Sequence, residues 1–262
     1  MTQTAGDILF SVQDGIARVT FNRPQARNAF LFPMYERLAE ICAEVEEDRS
    51  VRAMILTGAG GKAFAAGTDI SQFRAFATPD DAIAYEARID RVIGTLERCR
   101  VPTIAAIAGA CTGGGAGIAG ACDLRIAAAN ARFGFPIART LGNILSMSNF
   151  ARFAALIGPA RVKEMIFTAR LVEAPEALAI GLVSEVLPDP DALAARAEDL
   201  ARTIAGHAPL TLEATKEALR RLRPAFGSVE GEDLILKCYL SQDFREGMDA
   251  FLTKRPPRFT GT

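Results

Sequence analysis

Apolar positions follow two rhythms along this chain. Ile8–Gln13 and Ile16–Phe21 are short runs rich in β-forming residues, separated by Asp14-Gly15. That dipeptide suits a two-residue type I′ turn, so a β-hairpin is predicted to open the fold. After Asn22-Arg23-Pro24 the period lengthens. Met34, Leu38, Ile41 and Val45 recur at helical spacing with Glu and Arg opposite, which predicts a helix from Pro33. Residues 51–57 (VRAMILT) predict a buried strand, and the loop GAGGKAFAAGTDI follows. A second amphipathic helix is predicted over 82–98, with Ile89, Val92, Ile93 and Leu96 inward. Pro102 introduces a strand, TIAAIAG, and then the glycine-rich GACTGGGAGIAGACD. Strand and helix patterns keep alternating through DLRIAA, GPARVKEMIFTA, PEALAIG and GLVSEVL. Such an order predicts an α/β core with parallel pairing and crossover helices.

From Asp191 the alternation stops. ALAARAEDLARTIAG, PLTLEATKEALRRLR, EDLILKCYL and FREGMDAFLTK all read as helices, the second bracketed by Pro209 as a start and Pro224 as a stop. The chain therefore divides into a core over 1–190 and a helical region over 191–262. The sequence leaves open whether that region folds back on the core or packs on another subunit. No repeat or low-complexity segment interrupts either part.

Composition narrows the function classes. At 262 residues the chain can bury a sizeable core, and its 50% hydrophobic and 23% charged content is that of an ordinary globular protein. Thirty basic against thirty-one acidic residues, with no basic stripe, argue against a nucleic-acid partner. No apolar run is long enough to span a bilayer. The opening MTQTAGDILFSVQDG lacks the basic and apolar regions of a secretory signal. Five scattered cysteines (Cys42, Cys99, Cys111, Cys122, Cys238) read as buried thiols of a reducing, cytoplasmic compartment rather than as a disulfide framework.

Several familiar chemistries fall away. The single histidine, His207 in AGHAPL, has no G-x-S-x-G elbow to serve and reads as a loop or cap residue. No C-x-x-C pair or clustered ligand set implies a metal. Gly61-Lys62 ends like a phosphate loop, but Ala63 stands where Ser or Thr would hold magnesium. Gly115, Gly117 and Gly120 match G-x-G-x-x-G, yet the acidic residue expected about twenty positions later is replaced by Ile137. A dinucleotide oxidoreductase rests on those three glycines alone.

Thioester chemistry offers another reading of both loops. It needs two backbone N–H donors aimed at one carbonyl oxygen, so that charge developing there is stabilised. Glycine lets a backbone approach a ligand closely, and a following helix adds the positive end of its dipole. AGTDI and TGGGAG are two such strand-to-helix turns. Small residues also permit tight packing, and composition does not separate the two readings.

Asn22-Arg23-Pro24 with Asn28-Ala29, FAAGTDI, GACTGGGAGIAGACDLRIAAANARFGFP, TARLVEAPEALAIGLVSEV and SQDFREGMDAFLTKRPPRFTG resemble the crotonase superfamily, the enoyl-CoA hydratase/isomerase family, in order and from about Ile8 onward. The resemblance implies an α/β spiral of ββα units in two nearly perpendicular sheets, followed by a helical trimerisation region. It also implies a homotrimer or a dimer of trimers, an acyl-CoA substrate, and no tightly bound cofactor beyond the coenzyme A of that substrate. By the same resemblance the oxyanion hole comes from the backbone N–H groups of Thr68 and Gly114, with Thr68 where the family more often has alanine. Gln25, Ala26 and Arg27 are expected beside the nucleotide end of coenzyme A. Lys62, Ala66, Asp69 and Ile70 are expected along the adenine and pantetheine path, and Phe251 and Lys254 near the cofactor from the tail. Lys62 and Lys254 also read as solvated lysines, and Asp69 and Asp123 as turn or cap residues.

One departure matters. The hydratases of the family use two glutamates, and the resemblance places them where this chain has Gly117 and Ile137. The usual isomerase glutamate also falls on Ile137, and a dehalogenase aspartate has no match in LGNILSMSN. Each acid-base group contributes roughly 10²- to 10⁴-fold, so ordinary hydratase activity is not expected. Arg139, Thr140, Asn143, Ser146 and Ser148 are the polar groups left near the expected acyl pocket. Arg139 reads either as a surface or ion-pair residue or as a bidentate holder of an acyl group that carries its own carboxylate. The sequence thus implies an acyl-CoA enzyme of this family with altered chemistry, such as decarboxylation or thioester hydrolysis. The alternative is a non-catalytic acyl-CoA-binding or scaffold subunit.

Overall fold

A computed structural model describes residues 6–76, 78–222 and 231–262. Pro224, the expected helix stop, lies outside the described residues. The hairpin forms as the sequence predicts: β1 (Ile8–Gln13) and β2 (Ile16–Phe21) pair antiparallel, with Asp14 and Gly15 both at positive φ, 53° and 72°. Two left-handed residues in succession are what a type I′ turn requires.

Helix α1 (Phe32–Glu47) turns Met34, Leu38, Ile41 and Val45 inward and leads to β3 (Ala53–Gly58) and the short β4 (Ala63–Ala65). Helix α2 (Pro79–Arg98) opens with Asp81 accepting from the Thr78 amide at 2.7 Å. There follow β5 (Thr103–Ile107), β6 (Ala110–Thr112), α3 (Gly114–Ala121), β7 (Leu124–Ala128) and β8 (Arg132–Gly134). Next come α4 (Ile137–Thr140), α5 (Met147–Ile157), α6 (Pro159–Thr168), β9 (Val172–Glu173), α7 (Ala174–Ala179) and β10 (Glu185–Leu187). The tail is α8 (Pro190–Ala205), α9 (Pro209–Leu222), α10 (Glu232–Tyr239) and α11 (Gln242–Leu252), helical as the sequence predicts.

The strands form a six-stranded sheet, β1-β2-β3-β5-β7-β10, parallel after the hairpin, and a four-stranded sheet, β4-β6-β8-β9. The larger sheet is buried on both faces. Met54, Leu56, Ala105 and Ile107 face the main core under α1, α2 and α3, whereas Ala53, Ile55, Ile104 and Ala106 face Leu193, Ala197 and Ala201 of α8. This is why VRAMILT and TIAAIAG read as continuous apolar runs. Arg18 of β2 and Glu198 of α8 close that face with a bidentate ion pair at 2.6 and 2.7 Å.

Other parts of the tail behave differently. Helix α9 buries none of its residues, and Leu210 and Leu222 are 76% and 77% exposed. Helices α10 and α11 pack over α2 and over the short helix Ile70–Ala75, forming a third apolar cluster around Phe73, Tyr239 and Phe244. All five cysteines are free thiols, four of them buried. Among the described residues no helix is long and apolar enough to cross a membrane.

Candidate active site

The two glycine turns meet. Gly67 sits at φ 94° and Gly113 at φ 53°, backbone conformations that L side chains rarely adopt. A Cβ on Gly113 would lie 3.4 Å from the Cα of Gly67, and one on Gly67 would lie 3.9 Å from the amide nitrogen of Gly114. The turns are thus in van der Waals contact, and it is their positive φ rather than crowding that favours glycine at both positions. Neighbouring amides are used for folding: Phe30 donates to the Gly67 carbonyl at 2.8 Å, Asp69 to Phe30 at 2.8 Å, and Gly113 to Gly134 at 3.1 Å. The N–H groups of Thr68 and Gly114 donate to no acceptor among the described residues. Gly114 is the first residue of α3, so the positive end of that helix bears on the same spot.

The Thr68 side chain is held from both sides. Its Oγ1 lies 2.8 Å from the Tyr35 hydroxyl and 2.8 Å from the Tyr85 hydroxyl. A Cβ on Gly114 would collide with the Tyr35 hydroxyl. Burial raises both phenols above their ordinary value, so they remain neutral hydroxyls. Phe73, Phe76 and Tyr239 stack around Tyr85 with ring centroids 5.0, 5.7 and 6.3 Å away.

The loop before α1 is organised by two residues of the Asn-Arg-Pro motif region. Asn28, buried at φ 55°, donates from Nδ2 to the carbonyls of Ala59 and Ala63 and accepts from the Arg23 amide. Arg23 also pairs with Asp69 at 3.2 Å. Asp69 caps the Ile70–Ala75 helix through Ser71. Burial pushes its pKa up, but the Ser71 hydroxyl and amide and then Arg23 outweigh this and hold it below the ordinary value. The Ala66 amide donates to the Arg27 carbonyl at 3.0 Å. Arg27 and Ala66 are therefore joined, and Asp69 is tied to Arg23 of the same loop, whereas Ile70 is buried in the third apolar cluster.

Other expected residues are not drawn in by contacts. Lys62 is exposed, with its carbonyl accepting from Ala110 at 3.1 Å. Phe251 and Lys254 are exposed at the end of α11. Arg139 is exposed on α4, and its side chain makes no ion pair among the described residues. Asp123 is structural: it accepts from the Thr103 amide and hydroxyl at 2.8 Å and pairs with Lys216 at 2.6 Å.

At Gly117 a Cβ would face Asn149 Oδ1 at 3.2 Å and Ile93 Cδ1 at 3.1 Å. That space is taken by a carboxamide. Asn149 accepts from Arg152 at 3.0 Å and donates to Ser146, whose hydroxyl donates to Asp90 at 2.6 Å. Ile137 is buried in the main core. Among the described residues, the strongly buried carboxyl near the aromatic cluster is one that sequence patterning did not single out. Glu86 on α2 is 7% exposed and accepts from the Tyr239 hydroxyl at 2.6 Å. Its place at helical spacing from Ala82, Ile89 and Ile93 was the available signal.

Comparison with known proteins agrees with this architecture. A family model described as enoyl-CoA hydratase/isomerase matches residues 11–262. The short-chain-enoyl-CoA hydratase of Clostridium acetobutylicum is 36% identical over 95% of each chain. Among solved structures, an enoyl-CoA hydratase/carnithine racemase from Magnetospirillum magneticum is 37% identical, covering 99% of this chain and 97% of its own, with a TM-score of 0.81. A methylmalonyl-CoA decarboxylase in complex with 2-nitronate-propionyl-CoA is 27% identical, covering 99% and 100%, with a TM-score of 0.89.

Proposed function

The chain belongs to the enoyl-CoA hydratase/isomerase family of the crotonase superfamily, and from that premise we propose that it is an enzyme of acyl-CoA thioesters that works through a stabilised enolate. The observation that carries this is the meeting of the Gly67-Thr68 and Gly113-Gly114 turns, with two amides left unpaired beside a helix N-terminus. A thioester oxygen between the Thr68 and Gly114 amides would gain charge as the enolate forms, and the site is arranged to hold that charge. Preorganised donors of this kind contribute most when charge develops away from bulk water.

Coenzyme A is assigned to the loops that carry Gln25, Ala26, Arg27, Lys62, Ala66, Asp69 and Ile70. Phe251 and Lys254 join it where subunits meet in a homotrimer or dimer of trimers, which the exposed apolar face of α9 supports. Ordinary hydration is not part of this reading. A hydratase must deliver a proton and activate a water, and the two positions assigned to those glutamates hold Gly117, filled in by Asn149, and the core residue Ile137. Enolate formation without hydration fits decarboxylation of a malonyl-type thioester, and the fold likeness to a methylmalonyl-CoA decarboxylase supports it. Arg139, with its guanidinium unpaired on α4, is the candidate holder of the departing carboxylate.

Two assays test the reading. With crotonyl-CoA, loss of the conjugated double bond's absorbance is expected to run at least about 100-fold slower than in a relative that has both glutamates. With methylmalonyl-CoA, release of carbon dioxide is expected and should slow in Arg139→Ala. Hydration at an ordinary rate would overturn the account of Gly117 and Ile137. Equal decarboxylation rates in the parent and Arg139→Ala would remove Arg139 from the reaction.

A further inference from the structure

We propose that Glu86 is a catalytic residue, the group that takes and returns the proton on the carbon next to the thioester carbonyl, and this rests on the acyl-CoA reading above. Glu86 lies on the buried stripe of α2 with Ala82, Ile89 and Ile93. Burying a carboxylate there is unfavourable unless something compensates, and no cation among the described residues does so. Its hydrogen bond comes from a neutral phenol, Tyr239 at 2.6 Å to Oε1, and Oε2 accepts from no described residue. If the only task were to pin α10 to α2, a glutamine would accept the same bond without a charge to desolvate. A carboxyl group retained in such a place is suited to exchanging a proton.

Position points the same way. The preceding residue, Tyr85, is bonded to Thr68, whose amide belongs to the convergent turns. Tyr239, bonded to Glu86, has its ring 6.3 Å from that of Tyr85. Helix α2 thus brings Tyr85 and Glu86 together to the lining between the Thr68 turn and Tyr239. Beside it, Asn143 donates to the Tyr239 hydroxyl at 3.2 Å, while its own Oδ1 is buried without any partner. A buried acceptor left unpaired is costly, so this one marks where a ligand donor or a water belongs.

The groups facing Glu86 are Tyr85 and Asp90 on its own helix, Tyr35 from α1 and Tyr239 from α10, while the packed helix α3 carries no titratable side chain. Burial lifts the Glu86 pKa to about 7, opposed by the Tyr239 donation and aided by the charge of Asp90. The three phenols are held above their ordinary values by burial, so they stay protonated while Glu86 titrates. A group poised this way has both forms available at neutral pH.

The step balances without another reactant. The Glu86 carboxylate takes the α-proton, the C–H electron pair becomes the carbon–carbon double bond of the enolate, and the carbonyl π pair moves onto oxygen between the Thr68 and Gly114 amides. Return of the proton from the Glu86 carboxylic acid to the same carbon gives exchange. Return to the γ-carbon of an unsaturated chain gives isomerisation. In decarboxylation the electron pair comes instead from the bond to the departing carbon dioxide, and Glu86, already protonated from solvent, delivers its proton to the α-carbon of the enolate.

Butyryl-CoA in deuterated buffer provides the test, with washout of the α-protons followed by NMR and binding by calorimetry. The parent is expected to bind and to exchange, faster as pH rises until Glu86 is ionised. Glu86→Gln should keep its affinity and its circular dichroism but lose at least about 100-fold in exchange rate. Tyr239→Phe, which removes the donor to the carboxylate, should exchange with its pH midpoint moved upward. Exchange by Glu86→Gln at the parent rate, a Tyr239→Phe midpoint that stays put, or a parent that binds without exchanging would each overturn the role of Glu86 and leave the acyl-CoA reading standing. A parent that binds no butyryl-CoA would overturn both.

Discussion

Glu86 is also a statement about stability. Its folded pKa of about 7 lies above the roughly 4.3 of an unfolded glutamate, so the folded chain holds this proton more tightly. Below the unfolded value both states are protonated and the group costs nothing. Between the two values the unfolded chain ionises first, and stability falls as pH rises. Above the folded value the full cost is present, on the order of 3 kcal/mol. Glu86→Gln should therefore match the parent in acid and exceed it by a few kcal/mol at about pH 8 in urea titrations. An unchanged pH slope would place the carboxyl in a wetter setting than its burial implies. The sequence does not disclose this residue. Within DAIAYEARIDRV its spacing puts it on the apolar stripe, but nothing local says that the carboxyl is covered, and the ring that covers it, Tyr239, arrives 153 positions later. Asp14-Gly15 is the opposite case: the turn is written entirely in adjacent residues, so it could be read at once.

Elements whose signals are local were legible, and those assembled from distant parts were not. α1, α2, β3 and β5 match their apolar periods closely because each carries a complete stripe or run. Helix α5 is not written in the apolar pattern. Its cap, Ser146, sits among the polar residues of LGNILSMSN, and its buried face includes Asn149 and Arg152, which break the apolar period. Those side chains point inward because Glu97 of α2 meets Arg152 through two contacts, at 3.1 and 3.2 Å, and Asn149 accepts from the same guanidinium. Arg152→Leu removes the guanidinium from both, and breaking a buried pair on one side costs about 3 kcal/mol. Urea unfolding measures it, and a loss below about 1 kcal/mol would mean that water replaces the guanidinium freely.

At the scale of the whole molecule, the six-stranded sheet is closed on both faces within one chain, whereas α9 presents Leu210, Leu219 and Leu222 to the outside. Lys216 on that helix reaches Asp123 and the Val101 carbonyl at 2.6 and 2.8 Å, so the helix is anchored to the core while its leucines stay uncovered. An apolar helix face held rigid is suited to a neighbouring copy. Leu219→Glu with Leu222→Glu should reduce the mass seen by light scattering from an assembly to a single chain. An unchanged mass would show that other surfaces hold the copies together.

The convergent glycine turns carry one more consequence. What they offer a ligand is main-chain hydrogen, and mutation rewrites side chains while leaving N–H groups in place everywhere but at proline. Apart from Gly67, Gly113 and Gly114 themselves, the cradle is thus insulated from genetic drift, and the carboxyl groups around it are not. A lineage built on such a cradle can shed one chemistry and recruit another without relearning how to fold.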